Sequence, residues 1–401
     1  MGKLRIKDTT DFFALLLCIM PVYFLIYALA GFMPWTDNPY NSYTLQAVSW
    51  LNGRLDLGRD YSYLEIANYQ GKYFVSFPPF PSYVMLPFAV FFGTHTPDNW
   101  IAMFTALLGA VYTLRLLHDF GKTGFSAVFW SLFMAVGTNL LFVCVNGWVW
   151  FIAQNMCYAL TMMSLFYANR SRGGAALFLW AASVGCRPFQ ALYILIILYI
   201  LYVNSSYQNP VQMLRKNLTW LIGPLMLAVS YMLLNYFRFG SIFEFGHNYL
   251  PEFVEAEKGQ FSLAYIQENL PLLFRIPKMT DGKWILPKFN GMAFWMVSPV
   301  FVSYLIYVVL SVFKKEKVNL ALAVGIPVFI CIHFLLLTMH KTMGGWHFGN
   351  RYTNDALPFL LYAVLMLMPK NDKYEFLHYP LFLLGLTLNG LGTVAVYNPW
   401  I

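Results

Sequence analysis

Runs of about 20 mostly apolar residues recur along the whole chain, and each is long enough to cross a bilayer as one helix. Apolar residues make up 59% of the 401 residues and charged residues only 11%, whereas soluble proteins carry about a quarter. The runs follow one another so closely that they leave no room for a separate soluble domain. The sequence therefore predicts one all-α domain, residues 1–401, that spans a membrane many times.

The lysine and arginine positions predict how the chain crosses the membrane, because cytoplasmic loops are enriched in basic residues. Lys3, Arg5 and Lys7 precede the first apolar run and place the N-terminus in the cytoplasm. Residues 78–93 are apolar but short and rich in proline, so we expect a helix on the outer membrane surface. The topology then has about eleven spans, and each loop on the inside carries at least two basic residues.

Polar residues outside the spans concentrate in three segments that this topology places outside the cell, 34–98, 238–290 and 340–355. The net charge of +8 is explained by the cytoplasmic loops and does not indicate a nucleic acid partner. The five cysteines lie in apolar runs without the spacing of a metal site. We therefore expect one functional site, open to the exterior and built from the three external segments.

Asp37 lies four residues beyond the first apolar run, which ends at Met33, and so belongs at the outer membrane boundary. Partial removal from water raises the pKa of a carboxylate and makes it a better base. A helix cap or a boundary charge is the alternative that the spacing leaves open. The residues that follow, 42–50, have the pattern of a neutral amphipathic helix, which can rest on the bilayer surface.

Two basic residues on the external side, Lys72 and Arg187, are candidates for binding a phosphate. Lys72 follows Gln70 and Gly71, a pair that favours a hairpin turn, and could equally be a solvated turn residue. Arg187 lies between two apolar runs, where a lone arginine is costly and often functional. Its side chain could instead reach the outer interface by snorkelling.

The segment WHFGNRYTNDALPF, residues 346–359, places His347, Arg351 and Asp355 within nine positions at the mouth of a span. Arg351 and Asp355 are four residues apart, so on a helix they could simply pair with each other. The functional alternative is a cradle for an anion, in which Arg351, His347 and the backbone of Gly349 surround a phosphate.

These features resemble the GT-C superfamily of polytopic glycosyltransferases, which use lipid-phosphate sugar donors. The resemblance rests on Asp37 after the first span, on WLNGRL at 50–55, and on an aromatic residue with a double proline at 77–79. Residues 235–246 and 348–360 are similar to segments of uncharacterised bacterial members. Protein O-mannosyltransferases and the lipid A aminoarabinose transferase are relatives in the same group.

The resemblance implies transfer of a sugar from a polyprenyl-phosphate donor to an acceptor on the external face of the cell membrane. The acceptor would be a saccharide, a lipid-linked glycan or a protein hydroxyl. Asp37 would be the general base of an inverting displacement, and the departing phosphate would be bound by Lys72, Arg187, His347 and Arg351. Relatives often carry a second acid where this chain has Asn38, so the use of a divalent metal stays open.

A flippase or exporter of lipid-linked saccharides is the alternative function, because it would be equally apolar, basic and rich in spans. Such a protein needs a polar path through the bilayer. The predicted spans are nearly free of acidic residues, which disfavours this alternative.

Overall fold

The computed structural model describes residues 6–314, 318–369 and 371–398. Lys3 and Arg5, on which the predicted orientation of the N-terminus depends, lie outside these residues. Most of the described chain is α-helical. In its first half the helices are α1 (Ile6–Ala30), α2 (Ser42–Leu51), α3 (Phe80–Phe92), α4 (Asp98–Asp119), α5 (Phe125–Val136), α6 (Leu140–Cys144), α7 (Val149–Asn169), α8 (Gly173–Val184) and α9 (Ile194–Val203).

The second half combines long helices with short helical turns. Its α-helices are α10 (Pro210–Lys216), α11 (Ile222–Phe239), α12 (Pro251–Val254), α13 (Ile266–Asn269), α14 (Phe294–Val297), α15 (Val300–Lys314), α16 (Leu320–Thr338), α17 (Leu357–Leu367) and α18 (Tyr379–Tyr397). Short 3-10 helices extend several of them, namely Pro188–Tyr193, Leu218–Leu221, Arg351–Ala356 and Glu375–His378. Two antiparallel hairpins complete the described chain, with strands β1 (Ile66–Tyr69), β2 (Lys72–Val75), β3 (Lys278–Thr280) and β4 (Lys283–Ile285).

Six helices of the described chain are long and apolar enough to cross a membrane, namely Thr9–Ala30, Asp98–Asp119, Val149–Asn169, Leu218–Phe239, Leu320–Thr338 and Glu375–Tyr397. A helix of 22 residues is about 33 Å long, which matches the hydrocarbon core of a bilayer. The predicted all-α architecture is confirmed, and it is that of a membrane-embedded chain. The predicted number of about eleven spans is not confirmed, because the other apolar helices are shorter.

Close helix packing around α7 forms the centre of the bundle. This helix packs against α4 and α8, and most of its side chains are buried. Gly109 of α4 permits the approach, since a Cβ atom there would lie 2.8 Å from the ring of Tyr158 on α7. Small residues at helix contacts are typical of membrane bundles, where close van der Waals packing holds helices together.

The first external segment forms a compact unit of α2, the β1–β2 hairpin and α3. The predicted hairpin turn is confirmed, because Gln70 and Gly71 have φ angles of 51° and 74° and connect the paired residues Tyr69 and Lys72. The predicted short helix within 78–93 is present as α3. The neutral amphipathic helix predicted within 42–50 is present as α2, and its contact with a bilayer surface stays a prediction. Most of its side chains are buried against α3, and Gln46 accepts a hydrogen bond from Ser82 at 2.7 Å.

The loops sort to two ends of the bundle. At one end Lys122 Nζ donates to the carbonyl of Pro369 at 2.8 Å, and Ser126 donates to Glu375 at 2.7 Å. All four residues lie in or beside loops that the sequence predicted to be cytoplasmic. Helices α4 and α7 run from this end to the opposite one, where the segments 34–98, 238–290 and 340–355 come together.

Candidate functional site

One cavity of about 780 Å³ lies where the three predicted external segments meet the start of α7. Each of the three segments contributes to its lining, as do residues 186–189 between α8 and α9. Aromatic side chains dominate the lining, namely Tyr40, Tyr43, Phe77, Trp148, Trp150, Phe151, Phe189, Phe245, Phe261, Phe289, Trp346 and Tyr352. A cavity of this size accommodates a sugar and part of a lipid chain.

An aromatic cluster at the start of α7 forms one wall of the cavity. The ring of Tyr40 lies 4.7 Å from Trp148 and 5.3 Å from Trp150, measured between centroids. The cluster is held together by the backbone, because Val149 N donates to the carbonyl of Tyr40 at 2.9 Å. Such faces offer a large apolar contact area with little conformational freedom, which suits a rigid ring or a lipid chain.

Arg187 belongs to a buried ion pair on another wall of the cavity. Its Nε lies 2.9 Å from Oδ2 of Asp355, whose side chain is fully buried, while the guanidinium is one-fifth exposed. Gln190 fixes the main chain at Asp355, because its side-chain amide donates a hydrogen bond to the carbonyl of Asp355 at 2.7 Å. The side chain of Arg187 is therefore held inside the protein and does not snorkel to the membrane interface. Asp355 pairs with Arg187 and not with Arg351.

Arg351 lies next to this ion pair. The guanidinium carbons of Arg187 and Arg351 lie 4.9 and 4.6 Å from the centroid of the Tyr352 ring, so both charges flank one aromatic side chain. Arg351 donates to the carbonyl of Gly344 at 3.0 Å, and Gln154 on α7 donates to the carbonyl of Arg351 at 3.1 Å. The Nε of Arg351 is buried without a hydrogen-bond partner among the described residues.

The electrostatics of this wall favour an anion. Burial lowers the pKa of Arg351, and the positive charge of Arg187 acts in the same sense. Burial also raises the pKa of Asp355, although Arg187 opposes that shift. Asp355 pairs with Arg187, whereas Arg351 forms no salt bridge in the described chain and is stabilised by carboxylates only through space, by Glu65 and Asp355. A buried charge without a direct partner is costly. A phosphate in the cavity would supply the bidentate partner that guanidinium prefers and that Nε of Arg351 lacks among the described residues.

His347 lies beside Arg351, contacts the same backbone carbonyl, and does not line the cavity. Its side chain is fully buried, and its Nδ1 lies 3.3 Å from the carbonyl of Gly344, the same oxygen that Arg351 contacts. Burial, reinforced by the charge of Arg351, lowers the pKa of His347 to about 3. A neutral imidazole in this position fixes the loop and adds no positive charge to the cavity.

Asp37 and Lys72 lie outside the cavity lining. The Asp37 carboxylate is 79% exposed, and His95 Nδ1 lies 3.4 Å from it. Lys72 is exposed at the turn of the β1–β2 hairpin. The structure separates the five predicted site residues into two groups. It brings Arg187 and Arg351 together at the cavity and places Asp37, Lys72 and His347 elsewhere.

The surroundings of Asp37 do not fit a divalent metal. Asn38, the neighbour that replaces a second acid, donates to the carbonyl of Gly147 at 2.7 Å. The nearest buried acid, Asp98, accepts a hydrogen bond from Thr44 at 2.6 Å. Within the described ranges no group of three His, Cys, Asp or Glu side chains could hold a metal ion. We therefore derive no step through a metal.

Sequence reasoning missed most of the titratable residues at the cavity, which are Glu65, His247, Glu252, His340 and Lys341. The rings of His247 and His340 are tilted by 42° with 6.1 Å between their centroids, and Lys341 donates to the carbonyl of Glu252. All five residues lie in the predicted external segments. Their segments were therefore identified, but no spacing signal distinguished these residues from solvated loop residues.

Comparisons with family models, curated proteins and solved structures find no match for this chain. The resemblance to the GT-C superfamily therefore stays a prediction, and the site must be interpreted from its own geometry.

Proposed function

We propose that the protein is an integral membrane glycosyltransferase that moves a sugar from a polyprenyl-phosphate donor to a hydroxyl acceptor outside the cell. One observation carries the proposal, namely that the guanidiniums of Arg187 and Arg351 flank the ring of Tyr352 in an aromatic cavity at one end of an apolar bundle. Cationic groups and apolar walls together suit a lipid that carries a phosphate.

The proposal includes the topology of about eleven spans with a cytoplasmic N-terminus and an external site. The shorter apolar helices, Phe125–Val136, Gly173–Val184, Pro188–Val203 and Val300–Lys314, together with α17, would complete the set. The sorting of the loops supports this topology, because predicted cytoplasmic loops contact one another at the end away from the cavity.

The proposed reaction breaks the bond between the anomeric carbon and the phosphate oxygen, and the electron pair remains on the phosphate. The guanidiniums of Arg187 and Arg351 stabilise the charge that develops there, and each such donor contributes about 3 kcal/mol. The acceptor oxygen attacks from the opposite face, so the anomeric carbon inverts. Asp37 was the predicted base, and this role stays a prediction because its carboxylate lies outside the cavity lining.

The test is mass spectrometry of the lipids that co-purify with the protein. Wild type should retain a polyprenyl phosphate that carries a hexose, whereas Arg187→Ala and Arg351→Ala should retain at least about tenfold less. Arg215→Ala is a matched control, because this arginine is exposed on α10 and does not line the cavity. Equal lipid in all four proteins, or no polyprenyl lipid in wild type, would contradict the proposal.

The flippase alternative predicts a different outcome in vesicles. It requires the donor to cross the bilayer with its sugar intact, whereas the transferase releases free polyprenyl phosphate. The core between the two ends is filled by large apolar side chains such as Trp130, Phe133 and Tyr362, which supports transfer over passage.

A further inference from the structure

We propose that Glu65 is the carboxylate that accepts the proton of the acceptor hydroxyl, an inference that rests on the proposed function. The reaction needs a base at the cavity, and Asp37 does not line it. Two acidic residues do, Glu65 and Glu252. Glu252 is exposed in the short helix α12, whereas Glu65 is partly buried. Glu65 is therefore the better-placed carboxylate.

The backbone around Glu65 is held rigidly. Ser76, which is fully buried at the end of β2, donates from its hydroxyl to the carbonyl of Glu65 at 3.0 Å. The carbonyl of Ser76 in turn lies 3.2 Å from Nδ1 of His247. The hairpin thus fixes Glu65 and His247 through one serine. A catalytic group on such a supported backbone is held in place before the substrate arrives.

The charges around Glu65 suit a base that works beside a phosphate site. None of the salt bridges between described residues involves its carboxylate, which the indole of Trp150 and the charge of Arg351 both stabilise. Burial raises the pKa of Glu65, and the positive charge of Arg351 opposes this shift. The same Arg351 flanks the proposed phosphate site. Glu65 and the guanidinium of Arg351 therefore interact electrostatically, with the acid and the cation on different segments of the chain.

The proton and the electrons balance without any further reactant. The acceptor hydroxyl forms a bond to the anomeric carbon and loses its proton to Glu65. The bond to the phosphate oxygen breaks, and its electron pair leaves with the phosphate. The protonated carboxyl then returns its proton to water.

The experiment uses the full-length protein in vesicles with C55 polyprenyl phosphates that carry glucose, mannose or galactose. A cell-envelope extract supplies hydroxyl acceptors, and the released polyprenyl phosphate is measured. Glu65→Gln should lower turnover by about a hundredfold or more, the usual contribution of a general base, and leave donor affinity nearly unchanged. Glu255→Gln, an exposed neighbour of the cavity segment that is not in its lining, should keep wild-type turnover.

The pH profile separates a base from a merely structural residue. Wild-type turnover should fall as the pH drops through the pKa of Glu65, which burial places above the ordinary value of 4.5. Glu65→Asp should keep partial turnover with a shifted midpoint. Unchanged turnover in Glu65→Gln together with loss in Asp37→Asn would overturn the inference and leave the proposed function standing. No release by wild type from any donor would overturn both.

Discussion

Replacement of Asp355 by asparagine removes the carboxylate that pairs with Arg187 and keeps the side-chain volume. The Arg187 Nε lies 2.9 Å from the Asp355 carboxylate, which is fully buried. Loss of one partner of a buried pair costs about 3–5 kcal/mol. The amide oxygen still accepts a hydrogen bond, which offsets about 1 kcal/mol. We therefore expect the free energy of unfolding to fall by about 3 kcal/mol.

The same substitution should strengthen anion binding. Without Asp355, the guanidinium of Arg187 has lost its buried counter-charge, so a phosphate group in the cavity gains a stronger partner. A gain of about 1.4 kcal/mol corresponds to about tenfold in affinity. An anion that binds only the folded protein also raises its stability. Pyrophosphate should therefore stabilise Asp355→Asn more than it stabilises wild type.

The assay is a denaturant titration of the detergent-solubilised protein with and without pyrophosphate. Asp60→Asn is the control, because this aspartate is exposed near the hairpin and outside the cavity lining. Unfolding of Asp355→Asn at the wild-type denaturant concentration would show that the ion pair contributes nothing to stability and would contradict the prediction. Weaker pyrophosphate binding by the variant would also contradict it, because Asp355 would then be needed to position the phosphate site.

Three further predictions follow from the site. Arg351→Ala should weaken polyprenyl phosphate binding about ten- to a hundredfold, and Lys72→Ala less than about twofold, in a lipid-binding assay. Gly344→Ala should also weaken this binding, because its Cβ would lie 3.1 Å from Nε of Arg351; Gly345→Ala, with a similar positive φ but open space around it, should not. The free energy of unfolding should fall as the pH drops below 6.5. In the unfolded chain His347 then binds a proton, whereas in the folded protein its pKa is lowered to about 3 and it stays neutral. His347 contributes up to about 1.4 kcal/mol per pH unit to this slope, and His347→Gln should remove that contribution in denaturant titrations at several pH values, while His247 and His340, whose pKa values burial also lowers, still contribute to it.

The sequence predicts the helices and the hairpin well, because both depend on local patterns. Apolar runs determine where helices of the bundle lie, and the pair Gln70 and Gly71 determines a two-residue turn. Arg187 and Arg351 could also be identified, since a charge among apolar residues is costly and therefore conspicuous. Apolar runs, turn residues and isolated charges are local features, so each can be identified without knowing the contacts between segments.

Contacts between distant segments could not be predicted. Asp355 has a candidate partner four residues away, yet it pairs with Arg187, which is 168 residues distant in the chain. The burial of α2 likewise depends on α3 and not on its own amphipathic pattern. Glu65 gives no signal in the sequence, because a loop glutamate is usually solvated, and only the tertiary fold brings it to the cavity.

A density map of the protein in lipid nanodiscs with a C55 polyprenyl phosphate tests the central claim most directly. A phosphate is expected at hydrogen-bond distance, about 3 Å, from the guanidiniums of Arg187 and Arg351, with Glu65 on the side of the phosphate where the sugar of the donor would lie. A phosphate bound beside Asp37 or Lys72, or a lipid whose head group contacts neither arginine, would contradict this claim.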